Sequence, residues 1–114
     1  MGEGRRMARR IARGEIWSYR FKSPDKRRPV LVLSRAEVIP LLQTVMVAPV
    51  ASTRRGAPSE VNVGVDEGLK HDSAINLDHV QTVEQERLVG FVGTLSPAKM
   101  QQVCRALGVA TGCA

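Results

Sequence analysis

The chain is short of aromatic residues, cysteine, histidine and long hydrophobic runs, and each shortage removes a class of protein. Trp17, Tyr19, Phe21 and Phe91 are its only Trp, Tyr or Phe residues, so Val, Leu and Ile must build the core. Cys104 and Cys113 lie nine apart, which is neither a zinc-ligand spacing nor a disulfide framework. Cys104 is expected as a small buried residue on a helix and Cys113 as a free thiol in a tail, in a reducing, cytoplasmic setting. His71 and His79 are eight apart, and no Cys or acidic cluster joins them at ligand spacing. No metal and no cofactor are therefore expected. A Gly-rich phosphate loop is missing, and no Ser-His-Asp order can be read. No apolar run approaches the ~20 residues of a membrane span. The charged N-terminus has no apolar segment behind it and is not read as a secretory signal.

What the chain does have is positive charge, unevenly spread. The formal net charge of its 114 residues is +6. Residues 1–28 hold ten basic residues against three acidic ones, a local +7, while the remainder carries seven against eight, or −1. A nearly neutral domain with a basic front end attracts polyanions, and nucleic acid is the default partner. The length suits one domain with a core of its own. Residues 1–12 read as a flexible basic arm, 13–108 as a single domain and 109–114 as a C-terminal tail.

Most of the domain reads as short strands. Residues 14–21 (GEIWSYRF) carry bulk on both faces and form the first strand. Residues 22–28 are a basic loop with turn chemistry at Ser23-Pro24-Asp25. Residues 29–34 (PVLVLS) form the second strand, with Pro29 at its first position, where no ladder donor is needed. Pro40 limits 35–43 to a short helical turn or loop. Residues 44–51 form the third strand and 52–58 an exposed loop. Residues 60–65 (EVNVGV) alternate as a half-buried strand. SAINL (73–77) and HVQTV (79–83) read as two short strands, or one kinked at Asp78, and 87–94 as a last strand. Ser96-Pro97 then pairs an N-cap with proline at the first helical position. Met100, Val103, Cys104 and Leu107 make an apolar stripe, and Gly108 is placed to end the helix. Many short strands and one closing helix predict a small, strongly bent antiparallel barrel.

The chemistry concentrates at the ends of the second and third strands. Arg27 and Arg28 stand at the entrance of one, Ser52 and Thr53 at the exit of the other. A guanidinium pairs bidentately with phosphate oxygens and keeps its charge at any working pH. On RNA the neighbouring 2′-OH can serve as nucleophile, leaving the protein to align and to stabilise charge. Lys22, Lys26, Arg27, Arg54 and Arg55 are candidates to track the phosphate backbone. Trp17 and Tyr19 are candidates to stack bases, and Gln81 and Thr82 to read base edges. His79 is a possible acid or base, though a lone strand histidine is more often structural. Glu15 is a weaker candidate base, more often a solvated edge charge.

RGEIW (13–17), RRPVLVLS (27–34), VAPVAST (47–53) and HVQTV (79–83), in that order, resemble the MazF/PemK/Kid toxins of type II toxin–antitoxin systems. The resemblance covers most of 13–107. It implies an SH3-like barrel, a homodimer, and metal-independent endoribonuclease action on single-stranded RNA that leaves 2′,3′-cyclic phosphate and 5′-hydroxyl ends. It also implies inhibition by an acidic antitoxin tail. Carried over by position, the family's catalytic arginine, just before the strand proline, is Arg28. The family's catalytic threonine follows the third strand's apolar run, and Ala51 stands there, with Ser52 and Thr53 next. Chain position favours Ser52. Strand alternation favours Thr53, which shares a face with Ala51 if the strand continues. Ala51 also leaves open a catalytically weak or silent RNA binder, or a module of the CcdB type that binds a protein target.

Overall fold

The computed structural model describes residues 10–22 and 26–113. Most of the expected N-terminal arm and the Ser23-Pro24-Asp25 turn lie outside the described residues. The elements run β1 (Glu15–Arg20), β2 (Arg27–Val32), β3 (Thr44–Ala51), β4 (Glu60–Val63), β5 (Ser73–Asn76), β6 (Gln81–Glu84), β7 (Leu88–Thr94) and α1 (Pro97–Thr111). One antiparallel sheet takes the order β4-β5-β3-β2-β1-β7, with β6 also on β3. The expected mainly β architecture with a C-terminal helix is found, as a bent, barrel-like sheet whose end strands β4 and β7 do not pair.

The central strands bury both faces, which is why their sequences run apolar without a break. In β2 and just beyond it, Leu31 and Leu33 enter one core cluster while Val30 and Val32 enter another. β3 divides likewise, with Ala48 and Val50 in the first and Val45 and Val47 in the second. In β1, Ile16 joins the first and Trp17 the second. Successive strand residues point to opposite faces, so a strand between two cores needs apolar residues at every position. α1 closes the first core with Val103 and Ala106, and with the partly buried Met100, Leu107 and Ala110. Its start is as expected: Ser96 Oγ accepts the Lys99 N–H at 3.1 Å.

Three local expectations need correction, and a fourth, that SAINL and HVQTV are two short strands or one kinked at Asp78, resolves to two strands. Cys104 is exposed, because the helix buries the row through Val103 and Ala106 instead; its sulfur receives an Arg13 guanidinium N–H at 3.6 Å. The helix passes through Gly108 and ends at Gly112, whose φ of 77° is left-handed. An interior glycine costs about 1 kcal/mol against alanine, which Leu107 and Ala110 offset by packing on either side of it. β4 stops at Val63, since the Gly64 N–H turns to the Glu67 carboxylate at 2.7 Å and begins a 3-10 turn; Val65 is left exposed. SAINL and HVQTV are separated by a 3-10 turn at Leu77–His79, with the Asn76 side chain accepting the Asp78 N–H at 2.9 Å. That turn lets the two stretches pair with opposite ends of β3, Val50↔Ile75 at one end and Thr44↔Glu84 at the other.

The open seam of the sheet is closed by backbone contact. The turn after β4 lies on β7 so tightly that a Cβ on Gly68 would overlap the Val92 carbonyl oxygen, and one on Gly93 would overlap that of Glu67. Gly68 also has φ +91°, so both sterics and torsion require glycine there.

Candidate functional site: a basic groove across the strand ends

β2 begins at Arg27, two residues earlier than expected, because Arg27 and Arg28 are paired with Arg20 and Tyr19 of β1. The arginines are therefore strand residues with a fixed backbone. On the other side, β2 pairs Val30 with Pro49 of β3. Continuing that count by two residues brings Arg28 level with Ala51. β3 ends at Ala51 and the chain bends at Ser52, so alternation no longer carries Thr53 to the face of Ala51.

These strand ends border a groove of about 940 Å³. Lys26, Arg27 and Arg28 form one wall, and Ala51, Ser52 and Thr53 another. The remainder includes Lys70 and His71 before β5, and Phe91 and Val92 of β7. Four cationic side chains thus meet four hydroxyls, since Ser18 and Ser73 also line it. Among the described residues no carboxylate lines the groove. Such a surface suits a polyanion threaded across a slot, with low-dielectric walls concentrating the positive field.

The exit loop holding Ser52 and Thr53 is anchored by Arg54. Its Nε donates to the Ser73 carbonyl at 3.1 Å and its Nη2 to the Val63 carbonyl at 3.0 Å. Its other terminal nitrogen lies 3.8 Å from Asp72. Arg54 therefore clamps the loop to β4 and β5 instead of reaching for phosphate. The backbone N–H groups of Arg55 and Gly56 donate to Glu60 at 3.0 and 3.2 Å and fix the next stretch.

Of the residues singled out from sequence, the structure brings Lys26, Arg27, Arg28, Ser52 and Thr53 to this groove and leaves the rest off it. Trp17 is buried at 5% exposure, with its indole N–H donated to Glu15 at 3.0 Å and its ring edge-on to Phe91 at 5.9 Å. It is a core residue and not a stacking platform. Tyr19 is half-buried against Phe21. Lys22 and Arg55 are exposed elsewhere. His79 closes the Leu77–His79 turn, and Gln81 and Thr82 lie on β6 opposite Val47 and Met46. Glu15 is buried and also accepts the Ala12 N–H at 3.0 Å, so it is neither a groove base nor a solvated charge.

Sequence reasoning missed Lys70, His71 and Phe91. The first two belong to a short polar stretch between the fourth and fifth strands that carries no pattern of its own. Phe91 belongs to the stretch read only as a last strand, and it is 41% exposed at the groove. Their signal is tertiary, since the turn at 64–68 delivers residues 69–71 to the strand ends. Among the described residues no group of three or more His, Cys, Asp or Glu side chains is placed to hold a metal ion, and no helix is long and apolar enough to cross a membrane.

Comparison with known proteins bears on this arrangement. The family described as "PemK-like, MazF-like toxin of type II toxin-antitoxin system" matches residues 12–111. A Mycobacterium tuberculosis protein named "Probable endoribonuclease MazF5" is 43% identical over 104 residues, which is 90% of this chain and 94% of that relative. The solved Mycobacterium tuberculosis toxin MazF-mt6 aligns with a TM-score of 0.79 at 35% identity, over 86% of this chain and 96% of that one. An endoribonuclease from a mycobacterial species, solved in complex with its cognate antitoxin, gives a TM-score of 0.80 over 90% of this chain and 95% of that one; at 24% identity it speaks for the fold alone.

Proposed function

The chain belongs to the PemK-like, MazF-like toxins of type II toxin–antitoxin systems, and from that membership we propose that it is an endoribonuclease cutting single-stranded RNA in the groove across the β2 and β3 ends. The observation that carries the reading is the groove itself, with two strand-held arginines, hydroxyls facing them and no carboxylate among its described lining residues. Arg28 grips the scissile phosphodiester and stabilises the charge that gathers on its equatorial oxygens. The ribose 2′-OH attacks the adjacent phosphorus, and the O5′ bond breaks in line. The products carry a 2′,3′-cyclic phosphate and a 5′-hydroxyl. RNA supplies its own nucleophile, so the chemistry asks the protein for alignment and charge rather than for a metal or a covalent intermediate. Ser52 or Thr53 donates a hydrogen bond to the phosphate, while Lys26, Arg27 and Lys70 hold the strand on either side.

The same reading makes the protein a cytoplasmic homodimer whose groove is blocked by an acidic antitoxin segment competing with RNA for these cations. Ala51, level with Arg28, favours a second reading in which the groove binds RNA and cleaves it weakly or not at all. Incubating the protein with single-stranded RNA in EDTA separates them. Fragments with cyclic-phosphate and 5′-hydroxyl ends support the nuclease. Intact RNA retained on the protein supports the binder and rejects the nuclease.

A further inference from the structure

We propose that His71 is the proton acceptor of the reaction, the group that takes the 2′-OH proton as O2′ attacks phosphorus. The proposal rests on the endoribonuclease reading and adds a residue to it. Its basis is an imbalance in the groove. Arg27, Arg28, Lys26 and Lys70 are donors that hold no free lone pair while charged, and Ser18, Ser52, Thr53 and Ser73 are hydroxyls that cannot keep a second proton near neutral pH. The groove is thus rich in groups that stabilise phosphate and poor in groups that accept a proton. Among the described residues lining it, the imidazole of His71 is the one side chain with a ring lone pair that can take up a proton and release it again.

The segment bearing His71 is held in place. Ser73 Oγ donates to the His71 carbonyl at 3.0 Å. The next residue, Asp72, lies 3.8 Å from the Arg54 guanidinium, and Arg54 also grips the carbonyls of Ser73 and Val63. The clamp that positions Ser52 and Thr53 therefore also positions His71, on a groove whose other wall holds Arg28. Among the described residues, the charged groups around the imidazole are Lys70 and Asp72 on its own loop, Lys26, Arg27 and Arg28 across the groove, and Arg54 behind Asp72. β7 contributes Phe91 and Val92 to this wall and no ionisable group.

The step balances without a co-reactant. The 2′-O–H bond breaks, its proton passes to a neutral ring nitrogen of His71, and the O2′–P bond forms. The P–O5′ bond breaks, O5′ takes a proton from solvent, and the imidazolium returns its own to solvent. No water is consumed.

The test compares wild type with His71→Gln and His71→Ala on an RNA of defined sequence, over a pH range spanning imidazole titration. For wild type, kcat/KM should rise about tenfold per pH unit on the acid side and then level off. His71→Gln should lose about 10²-fold or more at the plateau and lack the rising limb. Its affinity for an analogue with 2′-deoxyribose at the scissile position should stay within about threefold of wild type. Added imidazole should restore part of the activity of His71→Ala. Cleavage by His71→Gln at the wild-type rate, a uniform loss that keeps the acid limb, or a loss matched by weakened binding each overturns the assignment while leaving the endoribonuclease reading standing. A wild type that cleaves no RNA at any pH overturns that reading first, and this one with it.

Discussion

At the scale of single residues, the proposed reaction turns on Arg28 and Ala51. Arg28 is exposed at the mouth of β2 and contributes nothing to either core cluster. Arg28→Ala should therefore leave the melting temperature nearly unchanged and cut kcat by 10² or more, the loss of about 3 kcal/mol expected for one stabilising contact to the transition state. Arg28→Lys should recover little of it, because an ammonium lacks the planar fork. Near-wild-type turnover by either variant would reject the role. Ala51 offers a gain of function in return. Ala51→Thr places a hydroxyl level with Arg28 and should raise the cleavage rate, while Ser52→Ala in the native background should lower it about 10²-fold if Ser52 now fills that place. Parallel single-turnover assays of the two variants, with Thr53→Ala beside them, decide which hydroxyl acts.

At the scale of elements, the sequence was legible wherever a pattern is local. The two-sided burial of β2 and β3 could be inferred from unbroken apolar runs, and the start of α1 from Ser96-Pro97. Legibility failed where tertiary contact decides. Nothing local distinguishes Gly108, which stays inside the helix, from Gly112, which ends it. Nor does any local pattern show that the aromatic ring of Trp17 is enclosed while that of Phe91 is half open. Arg54 looks in sequence like Arg55, and only the carbonyls of Val63 and Ser73 make it a clamp. The groove was half legible: its β2 and β3 walls could be named, whereas the Lys70–His71 wall depends on how the turn after β4 seats against β7. That seating gives an element-scale prediction. Gly93→Ala sets a methyl against the Glu67 carbonyl and should destabilise the fold by about 1–3 kcal/mol, read as a fall in melting temperature or denaturant midpoint. An unchanged midpoint would mean that the turn does not close the seam as described.

At the scale of the whole molecule, charge placement matters more than the formal +6. Four cations gather on one slot with no described carboxylate among them. If all four neutralise phosphates of a single strand, the slope of log K against log salt should be about −3. Affinity would then fall about 50-fold between 50 and 200 mM salt. Replacing Lys26 or Lys70 with glutamine should reduce that slope by about 0.7. Fluorescence anisotropy with a labelled oligonucleotide at four or five salt concentrations measures it, and a slope near zero would remove the groove as the RNA path.

Where β4 and β7 fail to zip together, two hydrogen side chains stand in for a missing ladder. A joint of that kind rests on the close approach of main-chain atoms, so a single methyl is a wedge. Gly68 belongs both to that joint and to the lining of the proposed RNA slot. The calibre of the slot is thus inherited from main-chain proximity, and substitutions at the joint should retune which nucleotides fit before they unfold the protein.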